Sequence, residues 1–113
     1  MGLYHADIFI PKTVRRKIWE YQKMQLDLTE HVKERMEQKN IKLPEVFNLE
    51  NTIVFEVETE KKDIIKLVCR TPYNSDYDLC FAVNMINNSI ITAWLNRKND
   101  NHETLNRYKY DLR

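Results

Sequence analysis

The stretch LCFAVNMINNSIITAWLN, Leu79–Asn96, decides the fold. Both halves are apolar and of strand length, and Asn87–Asn88 stands between them. Asparagine tolerates the positive φ that a two-residue hairpin loop demands. The pattern therefore predicts a strand over Leu79–Ile86 and a return strand over Ser89–Asn96. If Ile86 pairs with Ser89, Phe81 faces Trp94, Val83 faces Thr92 and Leu79 faces Asn96. One sheet face then carries Phe81, Val83, Thr92, Trp94 and Asn96 and has a polar edge. The other carries Cys80, Ala82, Ile91, Ala93 and Leu95, small enough to accept helices.

Working toward the N-terminus, Ile64–Thr71 reads as another strand, with Ile65, Leu67 and Cys69 opposing Ile64, Lys66, Val68 and Arg70. Thr52–Glu58 alternates, which puts Ile53, Phe55 and Val57 on one face. Lys61–Lys62–Asp63 is a polar turn, and PYNSDYD connects the middle strands. Before them, Val14, Ile18, Tyr21, Met24 or Gln25, and Leu28 recur at helical spacing and predict a helix over Lys12–Leu28. Thr29 caps a second helix, TEHVKERMEQKN, with Val32 and Met36 on its buried side and Asn40 as its stop. Tyr4–Ile10 is a short strand candidate closed by Pro11. The expectation is one α+β domain over residues 1–113, with N-terminal helices packed on one face of a four- to five-stranded antiparallel sheet.

Composition removes several functions. The chain of 113 residues contains one glycine, Gly2, so a Walker loop, a Rossmann fingerprint and a nucleophile elbow are all excluded. Its turns must rely on asparagine instead. A formal charge of +1 is no footprint for a protein that coats nucleic acid. The Lys12–Arg15–Arg16–Lys17 cluster reads as a solvated helix face or a short phosphate track. No apolar run reaches the roughly 18–20 residues that span a bilayer. The N-terminus lacks the basic and small-residue features of a secretion signal. Cys69 and Cys80 suggest reduced thiols and a cytoplasmic setting. Both sit mid-strand in apolar surroundings, a poor place for a nucleophilic thiol.

The stretch KLVCRTPYNSDYDLCFAV, followed after the hairpin by IITAWLNRKNDNHETLNRYKY, resembles a family of small tailed-phage proteins of poorly defined function. The shared pattern is R-x-P-Y…D-L, then T-x-W-L-N, then D-x-H-x-T-L and a tyrosine; YHADIFIP and the helical His31 match more loosely. In outline, helices and then four antiparallel strands, the chain is similar to the barnase–EndoU–colicin–RelE group of small metal-independent ribonucleases. That resemblance implies an RNA-cleaving protein of the host-cell cytoplasm that takes no cofactor.

Attack by a neighbouring 2′-hydroxyl needs a base, an acid, and donors around the phosphate. Histidine suits both proton roles, and arginine suits the phosphate. His102 and His31 are the expected acid and base, Arg70 the phosphate ligand, and Thr92 and Tyr110 the supporting catalytic hydroxyls. Asn96, Thr104 and Lys66 are expected to bind substrate. Metal binding by His31, Asp100 and His102 lacks the close ligand pair that would signal it. The rival expectation is a protein without chemistry that binds and inhibits or redirects a host protein. Tyr4, Trp19, Tyr21, Tyr73 and Tyr77 would be its anchors.

Overall fold

The structure, a computed structural model, describes residues 2–5, 10–21, 23–61 and 63–98. Its elements in chain order are β1 (Gly2–His5), α1 (Lys12–Glu20), β2 (Asp27–Leu28), α2 (Glu30–Gln38), β3 (Ile53–Glu60), β4 (Asp63–Pro72), β5 (Tyr77–Asn84) and β6 (Ser89–Arg97). Among the described residues the sheet has six strands in the order β1-β3-β4-β5-β6-β2. The strands from β3 to β6 form an antiparallel meander, but β2 runs parallel to β6. The fold is therefore α+β with a mixed sheet, not the purely antiparallel one expected.

The parallel edge arises where a continuous helix was expected. α1 stops at Glu20: the Tyr21 N–H closes its last turn on the Ile18 carbonyl, and from Met24 onward the backbone bonds to other segments. The Leu26 N–H donates to the Glu45 carbonyl at 2.8 Å and the Asp27 N–H to the Asn88 carbonyl at 2.9 Å. Met24, Leu26 and Leu28 satisfy a two-residue period as readily as a helical one, and Leu26 is buried between exposed Gln25 and Asp27.

α2 begins and ends where its sequence signals lie. The Thr29 hydroxyl accepts from the Val32 N–H at 3.3 Å, a cap whose loss costs about 1 kcal/mol. The same hydroxyl donates to the Ile90 carbonyl at 3.4 Å, tying the helix start to β6. At the far end Asn40 adopts φ 57°, the left-handed conformation that glycine usually supplies. The Ile41 N–H then reaches the Met36 carbonyl at 2.8 Å and the Asn40 N–H the Glu37 carbonyl at 3.1 Å, a Schellman closure.

The β5–β6 hairpin is present, but one residue out of the expected register. Trp94 pairs with Cys80, Ala93 with Phe81 and Thr92 with Ala82. The loop is a four-residue turn, Met85–Asn88, in which Asn88 takes φ 58° and Asn84 Oδ1 accepts the Ile86 N–H at 2.9 Å. Met85 opens this turn while its N–H still bonds the Ile65 carbonyl of β4 at 2.9 Å. Nearer the loop the register shifts again, with Val83 opposite Ile90, so β6 bulges around Ile91. Such a slip exchanges faces. Phe81 and Val83 therefore point away from Thr92, Trp94 and Asn96 instead of sharing their face.

A second bulge does the same in β3. The register shifts between Val54 and Glu56, so Val54 and Val57 join one apolar cluster while Ile53 and Phe55 join another. The larger cluster contains Ile18 of α1, Val32 and Met36 of α2, and Leu67, Cys69, Phe81 and Val83 of the sheet. The smaller lies on the opposite sheet face and consists of Ile53, Phe55, Val68 and Ala82, with Trp94 packed against it.

Candidate functional site

Alternation along β4, β5 and β6 puts Lys66, Val68 and Arg70 on the face opposite the helix-bearing cluster. Asn84, Ala82, Cys80 and Asp78 join them from β5, and Thr92, Trp94 and Asn96 from β6. The register aligns Lys66 with Asn84, Val68 with Ala82 and Thr92, Arg70 with Cys80 and Trp94, and Asp78 with Asn96. Four residues expected to act on RNA, Lys66, Arg70, Thr92 and Asn96, thus share one surface. Its centre is apolar and its end is charged.

The charged end is built on Asp78. Arg70 Nε donates to Asp78 Oδ2 at 2.7 Å, and Lys98 Nζ lies 2.9 Å from Oδ1. A second guanidinium nitrogen, Nη2, donates to the Arg97 carbonyl at 3.1 Å. The Arg70 and Asp78 side chains are only 2% and 1% exposed, whereas Lys98 is 30% exposed. A buried carboxylate with a cation on each oxygen is well compensated, and the guanidinium is committed to holding the ends of β5 and β6 together. Arg70 as an open phosphate ligand does not fit this burial; the accessible cations nearby are Lys98 and Arg97.

The remaining members of the face differ in how much they are engaged. Lys66 Nζ stands 3.9 Å from Glu56 Oε1, a half-exposed pair of the kind that contributes little. Thr92 is exposed and Trp94 half-buried. The Asn96 Nδ2 is buried and has no hydrogen-bond partner among the described residues. An unmet donor of this kind costs about 1–3 kcal/mol.

His31 is not part of this surface. It lies exposed on α2, next to Val32, whose cluster occupies the other side of the sheet. His31 and Arg70 therefore sit on opposite faces. His102, Thr104 and Tyr110 lie outside the described residues, as does the side chain of Tyr4. Trp19 is exposed, whereas Tyr21, Tyr73 and Tyr77 are half-buried. The alternative expectation for Arg70, a pair with Asp76 or Asp78, is met by Asp78, but at a buried site and with Lys98 as an additional partner that the sequence reading did not include. Asp78 is two residues before Cys80, the register partner of Arg70, and so shares the Arg70 face one diagonal step away.

Both cysteines are buried. Burial pushes the Cys80 thiol up to about 12, a rise that nearby Arg70 reduces and Asp78 adds to. Burial raises the Cys69 thiol further, with Cys80 contributing. Neither thiol is a nucleophile near neutrality. Among the described residues no group of three or more His, Cys, Asp or Glu is placed to hold a metal ion, and no helix is long and apolar enough to cross a membrane. No protein-family model matches the chain, and no curated protein or solved structure shows significant similarity to it.

Proposed function

We propose that the chain is a small phage-type ribonuclease whose RNA-contacting surface is the sheet face opposite the helices, cleaving by 2′-hydroxyl attack without a metal. The observation that carries this reading is that Lys66 of β4 and Thr92 and Asn96 of β6 share one sheet face, with Thr92 and Asn96 flanking the half-buried Trp94. Trp94 offers a stacking platform for a base. Lys66 and Lys98 meet the phosphate charge, and the exposed Thr92 hydroxyl supplies hydrogen bonds beside Asn96. Arg70 is a positioning residue that fixes Asp78 and the end of β6. His102 follows Arg97 by five positions in the sequence and is the proton-transfer group, and Tyr110 is the supporting hydroxyl. His31, on the other side of the sheet, has no part in the chemistry.

The test is incubation of the purified chain with total RNA, with and without EDTA, beside His102→Ala and His31→Ala. The expected products carry 2′,3′-cyclic phosphate ends and form equally in EDTA. His102→Ala lowers the rate at least about 100-fold, the lower range for loss of a proton-transfer group, and His31→Ala leaves it unchanged. Absence of cleavage from pH 5 to pH 8, or equal losses in both variants, overturns the reading. One observation favours a host-protein-binding function instead: the Arg70 guanidinium is already bound within the fold. Under that reading the chain leaves RNA intact and the His102→Ala variant still captures the host protein.

A further inference from the structure

α1 and α2 lie on one side of the sheet, because Ile18 of the first and Val32 and Met36 of the second join the same apolar cluster. Successive residues of a helix turn by about 100°, so the positions farthest from those anchors are Lys12, Arg16 and Trp19 in α1 and Glu30, Glu34 and Glu37 in α2. All six are exposed. Both sets are spaced i, i+4, i+7 and run about 10 Å along their helix. A solvated helix face usually alternates the sign of its charges and laces them with its own salt bridges. Here the outward pole of one helix is basic and aromatic, and that of the other is acidic. The ion pairs among the described residues engage other side chains, so neither stripe is neutralised within the fold. Lys12 and Arg16 repel at i, i+4 spacing, as do Glu30 and Glu34. Lys12 also opposes the α1 dipole, from a first turn that holds no acid.

Two stripes of equal length and opposite sign, unpaired in one layer, match each other in a second molecule. We infer that the helix layer is the interface of a twofold homodimer in which α1 of each protomer packs on α2 of its partner. The chain itself carries the matching anion, which singles out a second copy over a foreign partner. A twofold axis makes the contact self-complementary: each basic stripe meets the other protomer's acidic stripe, and the assembly closes at two chains. Trp19, 39% exposed beside Arg15 and Arg16, supplies the apolar anchor. Exposed charges contribute little singly, so the dimer is weak, forms at high protein concentration and is sensitive to salt. The inference is independent of the RNA-cleaving reading, since the sheet face opposite the helices points outward on both protomers.

Sedimentation velocity of the full chain, from micromolar to millimolar protein, is expected to show a monomer passing to a dimer. Raising salt from about 0.1 M to about 1 M shortens the screening length from about 10 Å to about 3 Å and is expected to weaken the dimer at least about tenfold. Lys12→Glu with Arg16→Glu reverses the basic stripe, and Glu34→Lys with Glu37→Lys reverses most of the acidic one. Both reversals suit the helix dipoles, placing an acid in the first turn of α1 and a base in the last turn of α2, so unfolding does not explain a loss of association. Each reversed variant alone is expected to stay monomeric where the parent dimerises. An equimolar mixture of the two, and the chain carrying all four changes, are expected to dimerise again. A parent monomeric at millimolar protein, a dimer indifferent to salt, assembly beyond two chains, or a mixture that fails to associate overturns the inference. A monomeric parent whose α1 amides shift with a 2′-O-methyl oligonucleotide overturns it as well and gives the basic stripe to an RNA backbone.

Discussion

Replacing Asp78 with asparagine keeps the shape of the side chain and removes the charge that Arg70 and Lys98 both face. The Arg70 contact, at 2.7 Å between side chains 1–2% exposed, is beyond the reach of solvent screening. Breaking a buried pair from one side leaves the other charge uncompensated and costs about 3–5 kcal/mol. The Lys98 contact, 30% exposed on the lysine side, adds only about 0.2–1 kcal/mol after screening. Total stability for a chain of this size is on the order of 5–15 kcal/mol. Asp78→Asn should therefore remove a large fraction of it and lower Tm by about 10–20 °C. Replacing both partners, Arg70→Met with Asp78→Leu, leaves no orphaned charge and should recover about 2 kcal/mol or more relative to the sum of the single changes. Urea denaturation followed by far-ultraviolet circular dichroism gives all four corners of the cycle. An Asp78→Asn loss below about 1 kcal/mol, or additive single changes, would refute the claim that this pair is a buried structural tie.

Two further outcomes follow from the same structure. Lys61 takes φ 58° in the β3–β4 turn, a conformation that costs a residue with a Cβ about 1 kcal/mol; Lys61→Gly should raise stability by about that amount in urea denaturation, and a loss would contradict the turn geometry. The thiols stay protonated in the fold after those of the unfolded chain ionise near their ordinary value of 9.0, so stability is fully retained below that pH and declines above it. The decline is up to about 1.4 kcal/mol per pH unit for each thiol, continuing for Cys80 to about 12. A Cys69→Ala, Cys80→Ala double variant should lose this slope between pH 9 and pH 11, and an unchanged slope would show that the thiols are not its source.

Elements with strong local signals were legible in the sequence. α2 was bounded by Thr29, whose hydroxyl caps it, and by Asn40, which stands in for a C-terminal glycine. The middle strands showed themselves through alternation. Register was not legible, because a bulge adds one residue without changing composition. The expected pairing of Phe81 with Trp94, and of Val57 with Ile53 and Phe55 on one face, both fail for that reason. Met85 reads as strand and sits in a turn, since its hydrophobic side chain is buried there just as well. Residues 24–28 fit a helical period, and only their bonds to residues 45 and 88 decide otherwise. At the site, Thr92 and Asn96 were placed together by strand period alone. Arg70 looked like an open cation because burial of a guanidinium is a tertiary fact. Asp78, the residue that makes that burial affordable, was legible only as a nearby opposite charge.

The central claim is that RNA meets this chain on the sheet face opposite its helices. Titrating the nitrogen-15-labelled chain with a 2′-O-methyl oligonucleotide, which presents phosphates and bases but no attacking hydroxyl, measures this directly. The account predicts shifts at the Lys66, Thr92 and Asn96 amides and the Trp94 indole, with His31 and the rest of α2 unmoved. Shifts centred on α2, or none at millimolar oligonucleotide, would contradict it.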